Sequence, residues 1–247
     1  MATPTPEQPL YPDLTTLIDM TTILSLLSTL LLLLLATALS LELLPRTATA
    51  KTRALFVWHA FDALIHFCLE GGYLYNCFFS WTSSTEVSAY LPPGVWFLGH
   101  RDRLYGALYG TGPLAALWRE YAKADRRWEG SDLGVVSLEM VTVLVEAPLA
   151  VYICALIVRQ RRAAWFWMVV VAVGELYGGW MTFAPEWLTG SPNLDTSSGL
   201  YLWVYLVFFN TLWVWIPGWV LYESYRNLVG TPASWTDEPV GGGKKRQ

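Results

Sequence analysis

The chain has 247 residues, 54% of them hydrophobic and 15% charged, with 14 Trp and 13 Tyr. This balance points away from an ordinary soluble domain and towards a small helical membrane bundle. A net charge of −4 leaves no basic stripe for a nucleic-acid partner. Three cysteines, Cys68, Cys77 and Cys154, with no close pair indicate neither a disulfide framework nor a zinc site, so no metal and no cofactor is expected.

In chain order, residues 1–16 read as a polar tail with four prolines and no Lys or Arg. From Met20 to Leu41 there is no charge, which suffices for the ~20 residues of a spanning helix. Without a basic n-region, and too long for an h-region, this segment is expected to be a retained anchor. A second span is expected over about 54–79. It holds His59, Asp62, His66 and Glu70 at relative positions 0, 3, 7 and 11, an arc of roughly 80° on an ideal helix.

Residues 80–132 form the sizeable extramembrane part. Leu91 to Gly99 is apolar and rigid, suited to the interface or to a pocket mouth. Residues 113–128 space Leu114, Leu117, Trp118, Tyr121 and Trp128 as an amphipathic helix, with Arg119, Lys123, Arg126 and Arg127 on the remainder, which predicts a helix lying on the membrane surface. Three more spans follow. That over 133–158 carries Glu139 and Glu146 about 20° apart; that over 163–183 carries Glu175 within Gly174-Glu-Leu-Tyr177-Gly; that over 200–222 places Trp203, Asn210, Trp213 and Pro217 at 0, 7, 10 and 14 on one face. The expected fold is an all-α integral membrane protein, a five-transmembrane-helix bundle (17–228) around a membrane-embedded ligand cavity.

Cations cluster between spans one and two and between three and four, which sets the N-terminus in the lumen and the C-terminus in the cytosol. The last residues, Lys244-Lys-Arg-Gln247, look like a dilysine retrieval signal on a 229–247 tail. It works only from the cytosol and agrees with an endoplasmic reticulum membrane location.

Five acids in the spans, Asp62, Glu70, Glu139, Glu146 and Glu175, would cost on the order of 10 kcal/mol in lipid unless partnered. Their partners are two histidines, shared protons, and a ligand that is or becomes cationic. An acid, a base and an indole wall in an oily cavity suit one reaction: protonating an alkene and deprotonating the carbocation at another carbon. The substrate would be a lipid entering from the bilayer. His59 reads as a helix-end histidine near the interface, and Asp62 as a supporting or substrate-facing group.

These residues resemble the emopamil-binding protein family, which contains the sterol Δ8–Δ7 isomerases and shares its fold with the sigma-2 receptor. The resemblance rests on Ile65 to Gly71, Leu117 to Arg127, the Glu139 segment to Pro148, Gly174 to Gly178, and Tyr205 to Trp213 with Pro217-Gly218. It implies that His66 and Glu70 transfer protons, Glu139 faces the cationic centre, Trp213 stabilises the carbocation, and Asn210 bonds in the same wall. Apart from the resemblance, Asp62, Glu146, Glu175, Tyr177 and Trp203 are expected to contact substrate. Cationic amphiphilic amines would act as inhibitors, membrane lipid would surround the bundle, and a homodimer is one assembly open to it. Glu146 and Glu175 depart from the family pattern, which has an aromatic residue and Gln there, and the 80–112 insertion is longer. Three functions are therefore weighed: a Δ8-to-Δ7 sterol isomerase, an isomerase or cyclase of another polycyclic terpenoid, and a non-catalytic sterol-binding or trafficking protein.

Overall fold

The computed structural model describes residues 18–230. The polar N-terminal tail and the dilysine tail lie outside the described residues.

Among the described residues five helices are long and apolar enough to cross a membrane: α1 Met20–Leu43, α2 Ala50–Phe79, α4 Leu133–Val158, α5 Ala163–Leu188 and α6 Leu200–Val229. The chain is an all-α membrane protein, and the five expected spans are all present. Between α2 and α4 lie a two-stranded antiparallel ribbon, β1 Trp81–Ser83 with β2 Arg103–Tyr105, and a short helix, α3 Pro113–Tyr121. The ribbon was not legible beforehand, since its strands are three residues each.

The span boundaries follow from local chemistry. Asp19 caps α1 by accepting from Thr22 N (2.8 Å), Thr49 caps α2 by accepting from Thr52 N (3.1 Å), and Asp132 caps α4 by accepting from Val135 N (3.0 Å). Pro45 follows directly after the end of α1 at Leu44. At this end Arg53 Nη1 donates to Ser40 O (2.6 Å), where the carbonyls of α1 run out of partners, and Lys51 pairs with Glu223 of α6 at 2.8 Å.

Three spans leave α geometry. Ile65–Glu70 in α2, Thr142–Glu146 in α4 and Leu200–Phe209 in α6 are wound as π-helix, in which i→i+5 bonding places an extra residue in the turn. The loosened carbonyls are met by side chains. Trp118 Nε1 donates to Leu69 O (2.9 Å), and the Asn210 amide nitrogen reaches Tyr205 O and Leu206 O, each at 2.9 Å.

The expected surface helix over 113–128 is corrected. Helix α3 ends at Tyr121, the chain turns, and Trp118 and Trp128 stack face to face, 4.6 Å between centroids and 9° between planes. Both indoles are buried, as are Ala115, Glu120 and Arg127. The segment is a lid plugged into one end of the bundle. Two of its cations, Arg119 and Arg127, are taken up by local acceptors, which an exposed-face reading could not anticipate. Arg119 Nη1 bonds Ala107 O (2.9 Å), and Arg127 grips Asp125 with Nε–Oδ1 at 2.8 Å and Nη2–Oδ2 at 2.5 Å.

Two buried polar knots hold this lid. Arg127 Nη1 also donates to Thr182 O of α5 (2.8 Å) and stands 3.6 Å from Glu186, whose Oε1 accepts from Asn193 (2.7 Å). Burial pushes the Asp125 carboxyl above its usual range, against the pull of the guanidinium. Glu120 accepts from the Thr22 hydroxyl of α1 (2.8 Å) and the Tyr205 hydroxyl of α6 (3.0 Å), and pairs with Lys123 at 2.5 Å. The stretch from Leu91 to Gly99 sits beside this end with Phe97 buried between Phe78 and Tyr105, ring centroids 5.5 Å from each. It does not line the main cavity.

Candidate active site

Beneath the lid is a cavity of about 910 Å³, lined mainly by apolar groups. Trp118, Tyr121 and Trp128 form its roof, and Leu117, Leu202 and Leu206 contribute to its sides. Its rim includes Tyr177 and Trp180 on the outer surface of α5, 62% and 61% exposed, so it opens through the side of the bundle. That volume is at the upper end of the range for small-molecule sites.

Polar groups enter the cavity as one column. Trp213 Nε1 of α6 donates to Asp62 Oδ1 (2.9 Å). The same oxygen lies 3.1 Å from His66 Nε2, in ion-pair contact but off the hydrogen-bond axis. On its other side, His66 Nδ1 meets Glu70 Oε2 at 2.5 Å. Thr142 Oγ1 then stands 2.7 Å from Glu70 Oε2 and 3.0 Å from Glu139 Oε2. One hydroxyl carries one proton, so two carboxyl oxygens around it are compatible when one of them brings a proton of its own.

The π-turn over Ile65–Glu70 belongs to this geometry, because it carries both His66 and Glu70, and the π-turn of α4 carries Thr142 and Glu146 opposite. Close approach of the lid needs Gly72, where a Cβ would fall 2.9 Å from Leu114 Cδ1.

His66, Glu70, Glu139, Asn210 and Trp213 all line the cavity, as do Glu146, Glu175 and Tyr177. Trp213 is further fixed by Trp58 and Phe61, ring centroids 5.6 and 6.2 Å away. Asn210 turns its amide nitrogen to the Tyr121 hydroxyl (3.0 Å) as well as to its own helix, so it couples α6 to the lid. Glu146 occupies space that only a glycine leaves, since a Cβ at Gly174 would lie 2.0 Å from its Oε1. Glu175 is 5% exposed, and neither of its oxygens has a hydrogen-bond partner among the described residues.

Three readings are corrected. Asp62 is fully buried and does not line the cavity; it stands behind the wall as the acceptor that holds His66 and Trp213. Trp203 is 64% exposed and faces away, because the π-winding of Leu200–Phe209 breaks the two-turn repeat that would have aligned it with Asn210. His59 is the tenth residue of its span and wholly buried, with neither ring nitrogen bonded among the described residues, so it is not an interfacial side chain. Thr142 was missed, although its place three residues after Glu139 was a usable signal.

Spans, lid and column together define an all-α membrane protein with an acid–base chamber that opens through the side of the bundle. Residues 113–224 match the EXPERA family, the expanded EBP superfamily. That match takes in 112 of the 247 residues, and over it the chain resembles the emopamil-binding protein family. It is 26% identical over 173 residues to a 3-beta-hydroxysteroid-Delta(8),Delta(7)-isomerase of Cavia porcellus, covering 70% of this chain and 64% of that protein. It is 32% identical over 115 residues to the enzyme of the same name from Rattus norvegicus, covering 47% and 50%. An isomeliandiol synthase of Ailanthus altissima is 24% identical over 184 residues, 74% of either chain. The chain thus spans between half and just under two thirds of the length of the two mammalian relatives.

Proposed function

We propose that the protein is a membrane-embedded sterol isomerase that moves a ring double bond from Δ8 to Δ7. The observation that carries this reading is the column Trp213, Asp62, His66, Glu70, Thr142, Glu139, each within 3.1 Å of the next, whose members other than Asp62 line an otherwise oily cavity. The relatives named Delta(8),Delta(7)-isomerase support it.

The reaction adds a proton to one alkene carbon, leaves a tertiary cation on its neighbour, and removes a proton from the next carbon along. No electrons are gained or lost, so acid, base and a cation-tolerant wall suffice. A carboxylic acid of the chamber supplies the proton. The Trp213 face, pinned by its bond to Asp62, stabilises the cation by ~2 kcal/mol when desolvated. The column accepts the second proton and redistributes it through His66, whose two nitrogens face carboxylates on opposite sides. Because the cavity opens sideways, substrate enters from the bilayer. A cationic amphiphilic amine would occupy the same wall as the carbocation and inhibit. We place the protein in the endoplasmic reticulum membrane with a lumenal N-terminus and the lid on the lumenal side.

The test is incubation of the membrane-reconstituted protein with a Δ8 sterol in heavy water. A Δ7 product carrying one deuterium at the newly protonated carbon is expected, and a shifted alkene without deuterium would refute proton-transfer chemistry. A second reading, another polycyclic terpenoid as substrate, is favoured by the even coverage of the isomeliandiol synthase relative. Changing Glu139 to Gln in cells and identifying the isoprenoid that accumulates separates the two.

A further inference from the structure

Among the five acids of the expected spans, the column ties up three. Asp62 is engaged by Trp213 and His66, Glu70 by His66 and Thr142, and Glu139 by Thr142. A general acid has to aim its proton at the substrate, and these groups aim at one another. Glu175 is different. It lines the cavity, is 5% exposed, and neither oxygen has a partner among the described residues. As a carboxylate it would be a buried charge without a donor, which is the costly form; as an acid it is neutral, and the one column member within side-chain reach of its O–H is Asp62. It stands in electrostatic contact with Asp62, His66 and Glu146, beside the end of the column opposite to Glu139. The Asp62 oxygen not bonded to Trp213, Oδ2, is likewise buried and unpartnered among the described residues.

We propose that Glu175 is the proton donor of a two-station cycle, delivering its proton to the alkene while the Glu70–Glu139 station receives the proton lost from the neighbouring carbon. This rests on the isomerase reading and deepens it. In the forward step the alkene π pair forms a C–H bond as the Glu175 O–H bond breaks, leaving a carboxylate and a ring cation. The C–H bond on the next carbon then supplies the electrons of the new alkene, and its proton passes to a carboxylate oxygen of Glu70 or Glu139. The return path is on the wall itself. Glu70 gives a proton to His66 Nδ1, the ring turns Nε2 into line with the Asp62 oxygen 3.1 Å away and gives one to Asp62, and Asp62 gives one to Glu175. Charge and atoms balance over the cycle, and no redox partner is needed. Two stations joined through one imidazole let addition and removal occur at separate places without the substrate turning over.

The experiment uses the full-length protein and its Glu175→Gln variant in lipid nanodiscs, with a polycyclic tertiary amine as binding probe. Infrared difference spectra on amine binding are expected to contain the C=O stretch of a protonated carboxylic acid in the parent and to lack it in Glu175→Gln, while Glu146→Gln keeps it. In turnover of a Δ8 sterol, Glu175→Gln is expected to lose at least about 100-fold in kcat with little change in KM, and Glu175→Asp to recover part of the loss. A band that persists in Glu175→Gln, or a kcat within about threefold of the parent, overturns the proposal. A parent that shows the band but turns over no Δ8 sterol keeps the proton store and sinks the sterol reading instead. Should Glu175→Gln fail to bind the amine, the infrared arm is read on Glu175→Asp, whose band must shift for the proposal to stand.

Discussion

The bond from Trp213 Nε1 to Asp62 Oδ1, 2.9 Å long and joining α6 to α2, gives the indole a job that its ring face alone does not. Trp213→Phe keeps an aromatic face towards the cavity and deletes that donor. A hydrogen bond to a charged group contributes about 1.5–3 kcal/mol. At about 1.4 kcal/mol per tenfold, loss of the bond predicts a fall in kcat of roughly 10- to 150-fold if Asp62 must be held for the His66 relay to work. The double-mutant cycle with Asp62→Ala isolates the effect, because each single removes the bond and the double should cost much less than their sum. Sterol isomerisation by reconstituted protein, followed by mass spectrometry of the sterol fraction, reads it out. If Trp213→Phe retains turnover within about threefold, or the two changes simply add, the indole N–H does not position the relay and the argument fails.

Thr142→Val removes the hydroxyl between Glu70 and Glu139 and should lower kcat by about 10-fold or more without weakening amine binding, measured by steady-state kinetics beside a binding isotherm. Asp125→Ala strips the buried Arg127 of its bidentate partner and should cost about 3–5 kcal/mol, seen as a fall in thermal midpoint in detergent. Lys51→Ala, whose ammonium is half exposed, should cost under about 1 kcal/mol in the same assay. Gly174→Ala places a Cβ 2.0 Å from Glu146 Oε1, so the Glu146 carboxyl has to swing to another rotamer; the thermal midpoint should fall by no more than the about 0.5–1.5 kcal/mol of a strained rotamer, and by nothing in a Glu146→Ala background. His59→Leu replaces a buried imidazole without partners among the described residues by an apolar group, so turnover and thermal midpoint should both be retained.

The five spans could be read from the chain because uninterrupted apolar length is nearly sufficient to define a membrane helix, and the i, i+4 spacing of Asp62, His66 and Glu70 survives even where α2 widens into a π-turn. What could not be read depends on tertiary partners. The cations of 119–127 look like a solvated face until Ala107 O, Asp125 and Thr182 O are brought to them by the ribbon, the turn and α5. Trp203 was placed on the cavity face by a repeat of 3.6, a period that Leu200–Phe209 does not have. His59 lies on the same stripe as its neighbours in projection, yet burial alone decides whether a histidine is interfacial, and packing of α1 and α4 on α2 put it inside. That no donor among the described residues reaches Glu175 is invisible in sequence, since it is a property of everything around the side chain.

The ten-residue π-segment of α6 also sets how the chamber can change over generations. Asn210 and Trp213 lie below it in regular α-helix, while Tyr205 and Leu206 lie within it and line the upper cavity. Removing one residue from Leu200–Phe209 would let that turn relax to α pitch and rotate everything upstream by about 100° relative to Asn210. The lower wall, with the indole and its bond to Asp62, would keep its phase. Insertion or loss of a single codon there therefore acts as a rotary adjustment, re-dressing the part of the pocket that meets the body of the ligand while leaving the proton-handling half in register.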